Sequence, residues 1–194
     1  MSGGPYVGNA GVFLVQTLFG LYILAVMLRL LFQLVRADFY NPVSQFLVQI
    51  TNPPLKPLRR VIPGWAGIDL AAVLLLVALQ LVEHLAIGAI VGHQPGLAAL
   101  LVISIADLIS LLLYVYLFAI LILVILSWVS PGAHNPVVGV LYRLTEPVMR
   151  PARQLVPPIS GIDLSPLLVI IVLQLLQYLL VAPLRDIARS LAVG

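Results

Sequence analysis

The sequence predicts an all-α membrane protein with four transmembrane helices, arranged as two parallel helix–loop–helix repeats. Three observations carry this prediction. Hydrophobic residues make up 62% of the chain and charged residues only 9%, whereas soluble domains average about 45–50% apolar and about 25% charged residues. Four apolar runs are long enough to cross a bilayer, which takes about 20 residues. The second half of the chain also repeats the first half without a gap.

The repeat is clearest in a proline-rich, basic stretch. The first copy, Asn41–Leu70, reads NPVSQFLVQITNPPLKPLRRVIPGWAGIDL, and the second, Asn135–Leu164, reads NPVVGVLYRLTEPVMRPARQLVPPISGIDL. The match continues into the next apolar run, where Gln80 corresponds to Gln174. A gapless internal repeat of this length indicates a duplicated unit.

Each repeat contributes two predicted spans. In the first repeat, residues 1–96, they cover about 12–35 and 70–91; in the second, residues 97–194, they cover about 106–129 and 164–182. The third apolar run begins earlier, so Leu97–Ile105 is either an extension of its helix or an interfacial segment. The N-terminal residues lack the basic region of a secretory signal, and we therefore expect the first run to be a retained helix.

Basic residues are concentrated in the two repeated loops. They are Arg36, Lys56, Arg59 and Arg60 in the first loop and Arg143, Arg150 and Arg153 in the second. The connection between the repeats has no Lys or Arg. Because positive residues favour the cytoplasmic side of a membrane, we expect both loops in the cytoplasm and both termini outside it. Arg185 and Arg189 argue against this orientation.

Each loop has the signals of an amphipathic helix on the membrane surface. Asn41 and Asn135 directly precede a proline, as an N-cap precedes proline at the first helical position. Apolar residues follow at helical spacing, at Val43, Phe46, Leu47 and Ile50 in one loop and Val137, Val140, Leu141 and Leu144 in the other. Pro53 and Pro147 then predict a break. We therefore expect a broken interfacial helix in each cytoplasmic loop.

The second copy resembles the signature of the YggT family, N-P-x-x-x-x-L-x-x-x-T-E-P-x-x-x-P-x-R-x-x-x-P-x-x-x-G-x-D-x-S-P. The first copy departs from it at Asn52, Pro63-Gly64 and Ala71-Ala72. The resemblance covers nearly the whole chain. It implies a small, multi-pass protein of the bacterial inner (plasma) membrane. Members of the family have been linked to osmotic and potassium homeostasis, to cytochrome complex assembly and to nucleoid distribution, and some lie next to cell-division genes. The resemblance implies a role of one of these kinds.

Polar residues recur on the second span of each repeat. Asp69, Gln80 and Glu83 share one helical face, and Asp163, Gln174 and Gln177 repeat that face in the last span. Such a doubled stripe serves either interhelical hydrogen bonding or an ion path. These two interpretations predict the same pattern, so the sequence leaves both open.

Two further polar positions lie within spans. Arg29 either snorkels toward the cytoplasmic headgroups or pairs in the bilayer with one of two carboxylates, Asp69 or Asp163. His84, with Glu83 or Asp107, forms either a structural polar contact or a proton-responsive pair. Together with the two stripes, these residues define a predicted intramembrane polar network.

The sequence predicts a protein that is not an enzyme. It contains no cysteine, and it lacks the Walker, HExxH, GxSxG and Rossmann patterns, so we expect no cofactor and no metal. We expect a membrane scaffold or assembly factor whose loops hold a protein partner or anionic lipid headgroups. The predicted contacts are Lys56, Arg59, Arg60, Arg143, Arg150 and Arg153.

Other partners and activities fit less well. Nucleic acid is a less economical partner than lipid, because the charges are few and alternate with prolines and apolar residues. The alternative function is potassium or proton transport, or osmotic-stress homeostasis, through the four-helix bundle. The chain could also pair its hairpins within one molecule or across a homo-oligomer.

Overall fold

The structure, a computed structural model, describes residues 5–65, 67–129, 135–156 and 163–193. Residues 157–162 of the repeated motif lie outside these ranges. The described residues form helices and contain no β-strand. The elements are α1 (Pro5–Leu34), α2 (Pro42–Val61), α3 (Leu70–Val91), α4 (Leu97–Val129), α5 (Pro136–Leu155), α6 (Ser165–Leu176), a π-helical segment (Gln177–Val181) and α7 (Ala182–Val193).

Four helical stretches are long and apolar enough to cross a membrane, which confirms the predicted fold class. They are Tyr6–Leu34, Leu70–Val91, Leu97–Val129 and Ser165–Ala192, the last running from α6 through the π-helical segment into α7. The chain therefore crosses four times and reverses direction three times. Both termini lie at one end of the transmembrane helices, and α2 and α5 lie at the other, which we call the basic end.

The spans are longer than predicted in three places. Helix α1 begins about two turns before residue 12, at Pro5. The segment Leu97–Ile105 is an extension of α4, which runs as one helix to Val129. The last span continues beyond residue 182 to Val193. Each extension adds helix at the end of the molecule opposite the basic end.

The surface helices α2 and α5 are continuous, and the predicted breaks are wrong. Helix α2 passes through Pro53, Pro54 and Pro57, and α5 through Pro147 and Pro151. A proline removes the hydrogen bond to the carbonyl four residues earlier, so Pro54 leaves the Ile50 carbonyl without its helical donor. The Tyr22 hydroxyl of α1 donates to this carbonyl at 3.2 Å. Tertiary packing thus replaces a bond that the proline removes.

The transmembrane helices form an open row. Helix α1 packs on α3, α3 on α4, and α4 on α6 and α7, while α1 does not pack closely on α6 or α7 over the described residues. Helix α2 lies against α1 and α3, and α5 lies against α4 and α6. Each repeat therefore has the same internal packing, and the repeats meet mainly through α3 and α4.

A tight connection holds α4 against α3. Gly92 ends α3 in the left-handed conformation, with φ 79°, which glycine adopts without steric cost. The N–H groups of Gly92 and His93 both donate to the Gly88 carbonyl, at 2.9 and 3.1 Å. A Cβ on Gly88 would lie 2.7 Å from the His93 carbonyl oxygen. The two glycines therefore allow the close turn that joins the repeats.

Candidate functional site

The basic end is built on two capped helices that lie against the transmembrane row. Oδ1 of Asn41 accepts a hydrogen bond from the Val43 N–H at 2.8 Å, and Oδ1 of Asn135 accepts one from the Val137 N–H at 2.9 Å. These bonds confirm both predicted N-caps. Helix α2 buries Ser44, Leu47, Thr51 and Leu55. Of the predicted apolar face, Leu47 is buried and Val43 and Ile50 are partly buried against the core. Phe46 is 59% exposed, on a face that the rest of the protein leaves open.

An arginine–aspartate pair joins each surface helix to the transmembrane helix that follows it. In the first repeat, Nε of Arg59 donates to Oδ2 of Asp69 at 3.0 Å, and Nη2 contacts the same oxygen. The other oxygen of Asp69 accepts the Ala72 N–H at 3.2 Å, so this carboxylate also caps α3. Asp69 is 5% exposed and Arg59 is 36% exposed, so only the carboxylate of this pair is shielded from solvent.

The second repeat has the same pair in a more open form. Nε of Arg153 lies 3.3 Å from Oδ2 of Asp163, and Oδ1 accepts the Ser165 N–H at 2.9 Å. The Arg153 Nη1 also donates to Glu146 at 3.2 Å. Burial alone would raise the pKa of Asp163, but the Ser165 hydrogen bonds and the Arg153 charge hold that pKa below its ordinary value. We call these two pairs the Arg–Asp clamps.

The clamps divide the predicted contact residues into two groups. Arg59 and Arg153 are engaged by carboxylates of their own repeat. Lys56, Arg60 and Arg150 are exposed and form no ion pair among the described residues. Arg59 and Arg153 thus also hold the surface helices in place, and the role of all these residues as partner contacts stays a prediction.

An open groove lies where α1 ends beside α5. Arg36 has φ 50° and follows the last turn of α1, and its carbonyl accepts a hydrogen bond from Nη1 of Arg143 at 3.0 Å. The groove has a volume of about 740 Å³. It is lined by Val35, Arg36, Tyr142, Arg143, Glu146, Pro147, Arg150 and Pro151. Three arginines thus line the groove. Its single carboxylate, Glu146, pairs with Arg153 outside the groove.

Arg29 follows neither prediction. It is 6% exposed, so it does not snorkel, and its Nη1 hydrogen-bonds to α2. The acceptors are the Val48 carbonyl at 3.1 Å and Oγ1 of Thr51 at 2.6 Å. Arg29 therefore attaches the surface helix to α1 and does not pair with Asp69 or Asp163.

A second polar cluster lies in the opposite half of the row. Nε2 of Gln80 donates to Oε2 of Glu83 at 2.9 Å within α3. Nε2 of His84 lies 3.2 Å from Oδ2 of Asp107, although the two groups do not have hydrogen-bond geometry. Arg185 of α7 donates to Oδ1 of Asp107 from the other side, at 2.8 Å. The structure thus brings His84 and Asp107 together and adds Arg185, a cation that the predicted polar network lacks.

The predicted stripe of the last span is not a buried stripe. Gln177 hydrogen-bonds to Ser110 of α4, with its Oε1 3.1 Å from the serine hydroxyl, but Gln174 is exposed. Asp69 and Asp163 belong to the clamps at the basic end. The signal that could have identified Arg185 is chemical, because the carboxylate of Asp107 in an apolar span requires a cation or a donor.

Comparison with known proteins agrees with the repeat. The family model CCB3/YggT matches the chain twice, at residues 8–90 and 102–184. An uncharacterized protein of Pseudomonas aeruginosa is 46% identical over 177 residues, which is 90% of each chain. An uncharacterized protein of Vibrio alginolyticus is 42% identical, covering 89% of this chain and 94% of its own.

The resemblance extends to a third relative. The uncharacterized protein YggT of Escherichia coli K12 is 37% identical over 171 residues, covering 87% of this chain and 88% of its own. No solved structure matches the chain. The matches to the family model cover most of both repeats and include the clamp residues of the first repeat and of the second. The chain therefore belongs to the CCB3/YggT family.

Proposed function

We propose that this protein is a non-enzymatic membrane scaffold or assembly factor that works through the surface formed by α2 and α5. The observation that carries the proposal is the division of the basic residues into two groups. The clamps and Arg29 attach the surface helices to the transmembrane row, while Lys56, Arg60 and Arg150 are exposed and form no ion pair among the described residues. A positively charged surface at the membrane interface suits the recognition of an anionic group.

Anionic lipid headgroups are the first ligand that this surface would hold. A Lys or Arg near an anionic membrane surface contributes about 1 kcal/mol, so three such residues provide a useful affinity without a dedicated pocket. A protein partner docked on the same surface would gain from the fixed positions of α2 and α5. We place this surface in the cytoplasm of a bacterial cell, at the inner membrane, with both termini on the other side.

The experiment compares lipid retention by the unchanged protein and two variants. Native mass spectrometry of the detergent-solubilised protein with added phosphatidylglycerol or phosphatidylcholine measures the preference for anionic lipid. We expect Lys56→Gln, Arg60→Gln and Arg150→Gln together to abolish that preference. The matched control is Arg189→Gln, which changes an exposed cation in α7. Equal retention by the triple variant and the unchanged protein would reject the proposal. Photo-crosslinking from the same surface in native membranes would identify a protein partner.

The proposed orientation has a direct test, because the chain contains no cysteine. A single cysteine at Gln94, in the connection between the repeats, should react with a membrane-impermeant maleimide in intact spheroplasts. A single cysteine at Arg60 should react only after the membrane is opened. The reverse pattern would place α2 and α5 outside the cytoplasm.

Ion transport is the second candidate function. The buried Gln80–Glu83 pair favours it, because a carboxylate inside a span often marks an ion path. The open row of helices and the exposed Gln174 make a continuous polar path harder to build. Purified protein in liposomes, with Glu83→Gln and Asp69→Asn as comparison variants, tests the candidate. Potassium and proton fluxes equal to those of empty vesicles would reject it.

A further inference from the structure

The contact between the two repeats provides a template for a contact between two molecules. Helix α3 ends the first repeat and packs on α4, which begins the second. His84 lies 3.2 Å from Asp107 across this contact, so the α3 face that carries His84 lies against α4. Gln80, one helical turn earlier on the same face, is only 7% exposed.

The equivalent face of the last span is exposed, and the described residues leave it uncovered. In the second repeat, Gln174 and Tyr178 take the places of Gln80 and His84. Gln174 is exposed, and Tyr178 is 72% exposed. The exposure of both side chains shows that no described element packs over this face, although α6 itself packs on α4 and α5.

The exposed amide of Gln174 is unfavourable in a lipid environment. Gln174 lies nine residues after the start of α6 at Ser165, which places it about 14 Å into a hydrocarbon core about 30 Å thick. At that depth the side chain does not reach the headgroups. It is the only polar side chain among the exposed residues of α6. Polar side chains in such positions promote association between transmembrane helices by interhelical hydrogen bonds.

The first helix of the chain has the complementary bare face. Helix α1 corresponds to α4, and Phe13 corresponds to Asp107. Phe13 is 65% exposed. Gln16 is exposed, whereas its counterpart Ser110 is 3% exposed. The face of α3 that contacts α4 thus has an exposed equivalent on α6. The face of α4 that contacts α3 has an exposed equivalent on α1.

We propose that the protein assembles with a second copy of itself in the membrane, head to tail, through α6 of one molecule and α1 of the next. This contact reproduces the packing of α3 on α4, with the ring of Tyr178 against the ring of Phe13 in place of the His84–Asp107 contact. Gln174 is then covered and finds a hydrogen-bonding partner away from lipid. Such an interface is heterologous, so it closes into a ring or continues as a chain. The inference is independent of the proposed lipid-binding surface.

Cysteine cross-linking tests the geometry in the natural absence of cysteine. Phe13→Cys and Tyr178→Cys are produced as separate variants, mixed in proteoliposomes, and treated with an oxidant or a short bifunctional thiol reagent. We expect a cross-linked dimer in the mixture and none with either variant alone. Val172→Cys, on another exposed side of α6, is the matched control and should not cross-link to Phe13→Cys. A cross-link in Tyr178→Cys alone would show a symmetric contact and overturn the proposal, as would no cross-link in the mixture.

A second measurement keeps the test decisive if a cysteine variant fails to fold. Energy transfer between labelled molecules in liposomes measures association directly. We expect Gln174→Leu to weaken association roughly three- to thirty-fold, the range expected for one interhelical hydrogen bond. Val172→Ala should leave association unchanged. Equal association of Gln174→Leu and the unchanged protein would overturn the role of Gln174, and no energy transfer in any sample would overturn the assembly itself.

Discussion

Oδ1 of Asp107 accepts two hydrogen bonds from Arg185, at 3.0 Å from Nε and 2.8 Å from Nη2. The two residues come from α4 and α7. On the other side of α4, His84 of α3 lies 3.2 Å from Oδ2 of the same carboxylate. Three helices from both repeats therefore meet at one carboxylate. This contact also explains Arg185, whose charge opposes the predicted orientation but is neutralised by its partner.

Loss of Arg185 should loosen the C-terminal part of the last span. We expect Arg185→Ala to lower the free energy of unfolding by about 2 kcal/mol, because hydrogen bonds to a charged group contribute about 1.5–3 kcal/mol. Thermal unfolding in detergent, followed by circular dichroism, measures the change. The control is Arg189→Ala, whose exposed pair with Asp186 should contribute less than about 1 kcal/mol. Equal shifts in the two variants would contradict this role for Arg185.

The Arg–Asp clamp of the first repeat should control the attachment of α2. Arg59→Ala removes the bonds to Asp69, so we expect faster amide hydrogen exchange in the last turns of α2 and at the start of α3. Mass spectrometry of the exchanged protein measures both segments. Arg60→Ala removes an adjacent exposed cation and should leave exchange unchanged while reducing retention of anionic lipid. The opposite assignment, with exchange altered by Arg60→Ala alone, would exclude the clamp.

The Tyr22 hydroxyl should stabilise the protein only because Pro54 leaves the Ile50 carbonyl without its helical donor. We expect Tyr22→Phe to destabilise the protein by about 1 kcal/mol, the usual net contribution of one hydrogen bond. In a Pro54→Ala background the helix supplies its own backbone donor, so Tyr22→Phe should destabilise the protein by less. Thermal unfolding of the four proteins in this cycle measures the coupling.

The second repeat offers a matched control for Tyr22. Tyr116 corresponds to Tyr22, but Val148 stands where the first repeat has Pro54, so the helix retains its backbone donor there. We expect Tyr116→Phe to have a small effect. Equal destabilisation by the two tyrosine substitutions would mean that burial, and not the proline, determines the effect.

Acid should weaken the clamp of the second repeat. The folded pKa of Asp163 is depressed, so its stabilising contribution is fully present above the unfolded pKa of about 3.9 and is lost as pH falls through the folded pKa. Arg153→Ala removes one cause of the depression, so we expect the pKa of Asp163 to rise and the loss to begin at higher pH. Carbon NMR of labelled carboxyl groups measures this titration. An unchanged pKa in Arg153→Ala would contradict the pairing.

Much of the candidate surface could be predicted from local pattern. Asn41 and Asn135 cap their helices as expected, because an N-cap depends on a side chain and the backbone of the next few residues. The predicted helix breaks at Pro53 and Pro147 are wrong, because α2 and α5 continue through these prolines. Local pattern shows the backbone donor that a proline removes, but it does not show a donor from another helix, such as the Tyr22 hydroxyl that bonds to the carbonyl freed by Pro54.

Composition, periodicity and the internal repeat determined the fold class, the transmembrane helices and the existence of two amphipathic surface helices. These properties depend on apolar content and on the spacing of neighbours along one helix, and both can be read directly from the sequence. Only the tertiary structure decided that Arg59 and Arg153 are held by carboxylates and that Arg29 bonds to α2. It also decided that Gln80 is covered while Gln174 is bare. The two glutamines occupy equivalent positions in the repeat, so their difference comes from the packing of one repeat on the other.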